Sequence, residues 1–315
     1  SLNYSDYNNL CHAGEGPVGA LYLYGAGQQD PTLFYTLPEW RARNNQDWNS
    51  ISVPVSFADE NNPAGHGFRL LPGSACVDAG IISFWMFNGK DPAGTPRIVG
   101  QNVDIGAYEL ALRASVRCFL QGPFISGSDS MSNALRTAGA IPLRSPYADD
   151  PRTVAALPAN VVDWVLLQFR LSTKSKAIFS RSLFLRNDGW LVNEKGSTEF
   201  NVDLLATTNF HVSVKHRNHV AAMSAAPAVF NEQTMTMLVD FTASPEAYFG
   251  DPETACVAVN GASGQRWALP AGDADGDGFV RPVDLEILNS QTNQSGYLRG
   301  DLNLDGSVTE DDIAL

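Results

Sequence analysis

Apolar residues along the chain fall into short runs, and helical spacing is scarce. The densest run, Val161-Val162-Asp163-Trp164-Val165-Leu166-Leu167-Gln168-Phe169-Arg170, is nearly continuous and predicts a strand covered on both faces. Two further apolar stretches, Ala177 to Leu185 and Trp190-Leu191-Val192, flank Asn187-Asp188-Gly189, a strong hairpin turn signal. Phe210, Val212 and Val214 alternate with His211, Ser213 and Lys215, which predicts one buried face and one wet face. Thr236 to Phe241 adds another strand. Met131 to Leu135 is the one early stretch that suits a helix, and it is brief; Leu285 to Leu288 suits another near the end. Short strands separated by turns predict a β-sandwich over 113–270.

Before residue 113 the apolar pieces are shorter, broken by Asn, Gly and Pro. They read as short strands with sharp corners: Ser5 to Leu10, Trp40 with Asn44 to Ser52, Leu70 to Gly80, and Arg97 to Glu109. Small inward residues and corner Asn suit stacked coils, although no strict period is visible. These stretches, and Val103-Asp104-Ile105-Gly106-Ala107-Tyr108-Glu109 above all, resemble the last coils and cap of secreted bacterial right-handed β-helix proteins of the pectate-lyase-like superfamily. Ser52 to Phe57 departs from that pattern by lacking an Asp beside Pro54. Catalytic groups of such lyases lie on inner coils, so the resemblance transfers no catalytic residue. Asp78, Asp104 and Glu109 read as cap and turn residues; a carboxylate pair for glycoside hydrolysis is the competing reading. Phe84-Trp85-Met86-Phe87 is expected to plug a solenoid end or pack on a neighbouring domain, with sugar stacking as the alternative.

Composition supports a β-rich secreted protein. Charged residues make up 17% of the chain, and Gly and Pro together number 45. The net charge is −13, of which ten acids and two Arg place −8 in the 43 residues from Asp273 onward. No basic patch stands out, so nucleic acid is not an expected partner, and no apolar stretch has the length of a membrane span. The chain opens on Ser1 without a signal peptide and is expected to be a piece of a larger exported protein. Cys11, Cys76, Cys118 and Cys256 are too scattered for a metal knuckle; one or two disulfides and buried free thiols both remain open.

The most specific signal is in the acidic tail. Asp273-Ala-Asp275-Gly-Asp277-Gly278-Phe279-Val-Arg-Pro-Val-Asp284 places oxygen-bearing side chains at loop positions 1, 3, 5 and 12, with a glycine at 6 for the sharp turn. A second copy starts 28 residues later: Asp301-Leu-Asn303-Leu-Asp305-Gly306-Ser307-Val-Thr-Glu-Asp-Asp312. Calcium prefers six to eight hard oxygens, and this spacing wraps them around one point, position 7 giving its backbone carbonyl. Two calcium ions are therefore expected, with Phe279 and Ser307 as the carbonyl donors. The competing reading is a pair of acidic turns without an ion. Position 12 is Asp rather than Glu, and the first loop follows Leu269-Pro270-Ala271-Gly272 with no leading helix. Loop first and helix after, twice over, resembles a type I dockerin across about 273–315, with the second helix short. The resemblance implies docking onto a cohesin module or onto another domain of the same assembly.

The stretch from Val116-Arg117-Cys118 through Asp163-Trp164-Val165 to His216-Arg217-Asn218-His219 resembles a module of large secreted bacterial surface proteins that precedes such a calcium pair. His211, His216 and His219 raise a zinc hypothesis, but no close carboxylate is expected to complete it, and structural roles are expected instead. No Gly-x-Ser-x-Gly turn marks a nucleophile. The sequence thus predicts a mainly β protein: the end of a β-helix (1–112), a β-sandwich (113–270) and a dockerin-like calcium module (271–315). Its expected work is structural or adhesive at a bacterial cell surface or matrix. Expected partners are copies of itself, including filament neighbours, or its own sandwich against the calcium module; a polysaccharide or a cohesin is the alternative. The competing function is the non-catalytic end of a carbohydrate-active enzyme.

Overall fold

The computed structural model describes residues 6–11, 16–21, 32–55, 57, 68–71, 73–92, 94–99, 101–202, 210–231 and 236–315. Ser5, Ser56, Pro72 and Gly100, which belong to the N-terminal stretches read above, lie outside the described residues. The chain is mainly β, with curled antiparallel sheets. It forms two compact units, one essentially 1–111 and the other built from 112–202, 206–230 and 236–315.

In the first unit β1 (Gly19–Leu21) and β2 (Thr32–Phe34) pair antiparallel, and α1 (Leu37–Asn44) follows. The sequence pattern places Trp40 in a coil, and the structure puts it in a helix instead. Its sequence signal is nevertheless local: Thr36 accepts the Glu39 amide while Glu39 accepts the Thr36 amide, Pro38 sits in the first turn, and Asn45 closes the end at φ 55. Trp40 Nε1 donates to Asp47 Oδ2 at 2.8 Å, and buried Asp47 also accepts from Asn8 and Ser50. Among the described residues of this unit the parallel pairing is one bridge, Asn9 to Ile51, and no stacked ladder of rungs is seen.

Asp78, Asp91, Asp104 and Glu109 each accept backbone N–H bonds, as turn-forming carboxylates do. Burial, then the neighbouring Asp104 charge, pushes Glu109 up to about 8. Phe84 to Asn88 form a 3₁₀ turn; the rings of Phe84 and Phe87 meet edge to face at 6.5 Å, and both are exposed, 92% and 67%.

The second unit opens with β3 (Leu112–Arg117) and a four-residue helix, α2 (Ala134–Thr137). Met131 and Ser132 precede that helix; Met131 bridges to Phe124 instead. Then come β4 (Val161–Arg170), β5 (Ala177–Arg186), β6 (Leu191–Val192), β7 (Phe200–Val202), β8 (His211–Lys215), β9 (Ala222–Met223) and β10 (Thr236–Asp240). The short α3 (Pro252–Ala255), the hairpin β11 (Val257–Gly261) and β12 (Gly264–Ala268), and helices α4 (Pro282–Gln291) and α5 (Glu310–Ile313) complete it.

Five strands make an antiparallel sheet in the order β6-β5-β4-β8-β9, with β4 in the middle. That position explains its run of nine buried residues. A second sheet, β10-β3-β7, joins β3 to β10 in parallel register and to β7 antiparallel. The predicted wet face of β8 is corrected: His211 and Ser213 are buried, the Ser224 carbonyl takes His211 Nδ1 at 2.9 Å, and β9 pairs along the edge at Ser213 and Val214. Among the described residues no disulfide joins the four cysteines; Cys11 is exposed and the other three are buried.

Candidate metal centre

Both acidic loops fold alike. In each, the position-6 glycine takes a positive φ, +93° at Gly278 and +96° at Gly306, a conformation that favours glycine. The Gly278 and Gly306 amides donate to the second oxygen of Asp273 and Asp301 at 3.0 Å. Asp277 N–H donates to Asp275, and Asp305 N–H to Asn303. Phe279 N–H donates to Asp277, and Ser307 N–H to Asp305. At position 12, Asp284 accepts the amides of Asp275 and Arg281, and Asp312 those of Asn303 and Thr309. Position 12 is also the third residue of the following helix, so the same carboxylate caps α4 or α5 while it closes the loop.

Asp273, Asp284, Asp301 and Asp312 are all buried. Burial, with the charges of Asp284 and Asp275 behind it, pushes Asp273 up to about 6; burial pushes Asp301 up to about 7, against the attraction of Arg217. Burial takes water from these carboxylates, and Arg217, 3.9 Å from Asp301, offsets that loss only in part. Asp273, Asp275 and Asp277 each place one oxygen within 4.8 Å of the others, so the three could hold a metal ion. The structure gathers these three; Asp284 joins the loop through its amide bonds rather than through that cluster. An amide bond to a carboxylate oxygen leaves a second lone pair for a cation, so the bonding pattern and a metal are compatible. The donor set is all oxygen, which fits a hard cation.

The loops differ in their setting. Phe279 and Val280 are exposed, and Arg281 pairs with Asp277 at 2.8 Å. In the second loop Leu302, Leu304 and Val308 are fully covered. Its backbone is fastened to the sheet part of the same unit: Asn218 Nδ2 donates to the carbonyls of Arg299 and Asp301, Arg217 Nη1 to that of Leu298, and Leu135 N–H to that of Leu304. Gly122 packs so closely that a Cβ there would lie 1.9 Å from the Leu302 carbonyl oxygen.

Behind this contact is a polar core that sequence reasoning missed. Asp163, fully buried on β4, accepts from Trp164 N–H, Tyr297 O–H, His216 Nε2 and Arg217 Nε. Burial opposes its charge, yet Arg217 and His216 hold it down at about 2. Arg217 also lies 4.4 Å from the Tyr297 ring and 3.9 Å from Asp301 through Nη2, which has no hydrogen-bond partner. The expectation of no carboxylate near the histidines is therefore corrected.

The imidazoles still lack a lone pair for zinc. Gly122 N–H donates to His219 Nε2, so the His219 proton sits on Nδ1, facing Asn218 Oδ1 and His216 Nδ1; His216 then donates from Nε2 to Asp163. Burial lowers both pKa values, His219 most, and both rings are neutral. His211 sits apart on its Ser224 carbonyl.

No known protein family, curated protein or solved structure matches the chain. No helix among the described residues is long and apolar enough to cross a membrane.

Proposed function

We propose that the chain is a calcium-binding structural protein of the extracellular or cell-surface kind, whose paired loops stiffen its C-terminal part for adhesion or assembly. The observation that carries this reading is the repetition of the same side-chain to backbone bonds in both loops, around buried acids at positions 1 and 12. One ion takes side-chain oxygens of Asp273, Asp275, Asp277 and Asp284 with the Phe279 carbonyl; the other takes Asp301, Asn303, Asp305 and Asp312 with the Ser307 carbonyl. Calcium suits this set better than magnesium, because a flexible loop of many oxygens does not impose the tight octahedron magnesium requires. The ions neutralise carboxylates that the fold has already stripped of water.

The dockerin-like order of loop and helix supports this assignment, and the Asn9 to Ile51 parallel bridge supports a coil-like first unit. A second reading, docking to a separate cohesin-type module, is favoured by the exposed Val283 and Leu285 on α4. Calcium titration by calorimetry, followed by thermal unfolding with and without a chelator, tests the proposal. Two saturable binding events and a chelator-sensitive transition are expected; no binding and an unchanged transition overturn it.

A further inference from the structure

At the β4–β5 turn the acidic chain carries a basic cleft of about 460 Å³. Lys174 and Lys176 stand on the turn itself, and Arg170 ends β4. Lys215 lies on β8 opposite Leu166, two positions along from the Gln168 to Ser213 pair, so Lys215, Gln168 and Arg170 share one face of the sheet. The volume falls in the range of roughly 300–1,000 Å³ typical of small-molecule clefts.

Among the described residues, none of the three lysine ammonium groups is in an ion pair. Arg170 is already fixed: Nη1 donates to the Ser175 carbonyl at 2.8 Å and Nη2 to Gln168 Oε1 at 2.9 Å, while its buried Nε has no partner. The guanidinium thus holds the lysine-bearing turn in place. Four cations facing one cleft repel one another, and an anion seated among them would relieve that repulsion.

The remaining groups narrow the class of anion. No aromatic ring lines the cleft, so nothing there stacks on a nucleobase. The lining also includes Asp149, whose Oδ2 accepts from Gln168 Nε2 at 3.2 Å, and the Ser180 hydroxyl. A carboxylate at the rim repels a bare oxyanion but accepts from hydroxyl groups. A ligand that carries both an oxyanion and several hydroxyls satisfies the whole lining.

We propose that this cleft binds an anionic saccharide, with Lys174, Lys176 and Lys215 around its carboxylate or sulfate and Asp149 and Ser180 on its hydroxyls. The site is separate from the acidic loops and does not depend on their occupancy.

Binding to the full chain at fixed calcium is measured by calorimetry with trigalacturonate, a sulfated chondroitin tetrasaccharide, maltotriose and inorganic phosphate. At least one of the two acidic sugars is expected to bind saturably; which one binds identifies carboxylate or sulfate as the anion. Maltotriose is expected to stay silent, and about 0.3 M salt to weaken the acidic sugar. K174E/K176E, two exposed turn positions, is expected to weaken it roughly tenfold or more. K174Q/K176Q is expected to fall between, and Asp149→Asn to weaken the sugar while strengthening phosphate. The proposal is overturned if neither acidic sugar binds at millimolar concentration, if the charge reversal leaves affinity unchanged, or if phosphate binds as tightly as the sugar.

Discussion

The side-chain amide of Asn218 donates to the backbone carbonyl of Asp301 at 2.6 Å, tying the turn after β8 to the first position of the second acidic loop. The same amide reaches the Arg299 carbonyl at 3.0 Å, so one side chain satisfies two carbonyls of the tail. Asn218→Ala leaves both without a donor in a buried setting. A loss of about 2 kcal/mol is expected, read by urea unfolding, with faster hydrogen exchange in 298–304 than in β4.

Removing one ion at a time separates the loops. Asp273→Ala and Asp301→Ala are each expected to abolish one of two calcium-binding events and leave the other. At calcium a hundredfold above the dissociation constant each ion contributes about 2.7 kcal/mol to stability. Calorimetric stoichiometry checks the count, and thermal unfolding with a chelator checks the stabilisation.

Arg217→Met is expected to be the most damaging single change in the polar core. It leaves Asp163 buried with its strongest partner gone, at a cost of about 3–5 kcal/mol. Asp163→Asn keeps acceptor capacity for Tyr297 and is expected to cost less. Equilibrium unfolding of the two variants at neutral pH compares them directly.

His216 and His219 are buried and neutral, with folded pKa values below the ordinary 6.5. Unfolding then takes up protons, so their contribution is complete above about pH 6.5 and is lost as pH falls toward the folded values. In saturating calcium, His219→Gln is expected to flatten the pH dependence of stability between about pH 5 and 7 relative to the parent chain. Unfolding midpoints across that window test it.

Glu109 behaves in the opposite sense. Its folded pKa of about 8 stands above the ordinary 4.5, so its contribution is present at low pH and is lost as pH rises through 8. Glu109→Gln retains an acceptor for the Asp104 amide and carries no charge. This variant is expected to be more stable than the parent at pH 8 and no more stable at pH 4.5, with the difference read from hydrogen exchange in 103–110.

Much of the second unit was legible because its signals are local. The continuous apolar run gave β4, and Asn187-Asp188-Gly189 gave the β5–β6 hairpin. The loop spacing alone placed both glycines and the three acids, Asp273, Asp275 and Asp277, that the fold gathers. What escaped depends on distance along the chain. The parallel pairing of Val116 with Val239 joins strands that sequence leaves far apart, and nothing near Asp163 announces Arg217 or Tyr297. Alternation in β8 misled because His211 meets the Ser224 carbonyl, just past β9, a partner that nothing near His211 announces. Helix α1 is a different kind of omission: Thr36, Pro38 and Glu39 spelled its start, but a weakly apolar stretch drew no attention to them.

The position of β3 between β10 and β7 sets how the second unit would yield to a pull along its chain. Tension that enters the second unit at Leu112 runs along the axis of that strand. The hydrogen bonds to both neighbours are then sheared together instead of being peeled apart one at a time. A grip of that kind yields at a rate set by the unfolding barrier, not by equilibrium stability. At the tail the corresponding anchor is the side chain of Asn218. A pull on both ends would therefore load β3 at one end and the Asn218 contact with the second loop at the other.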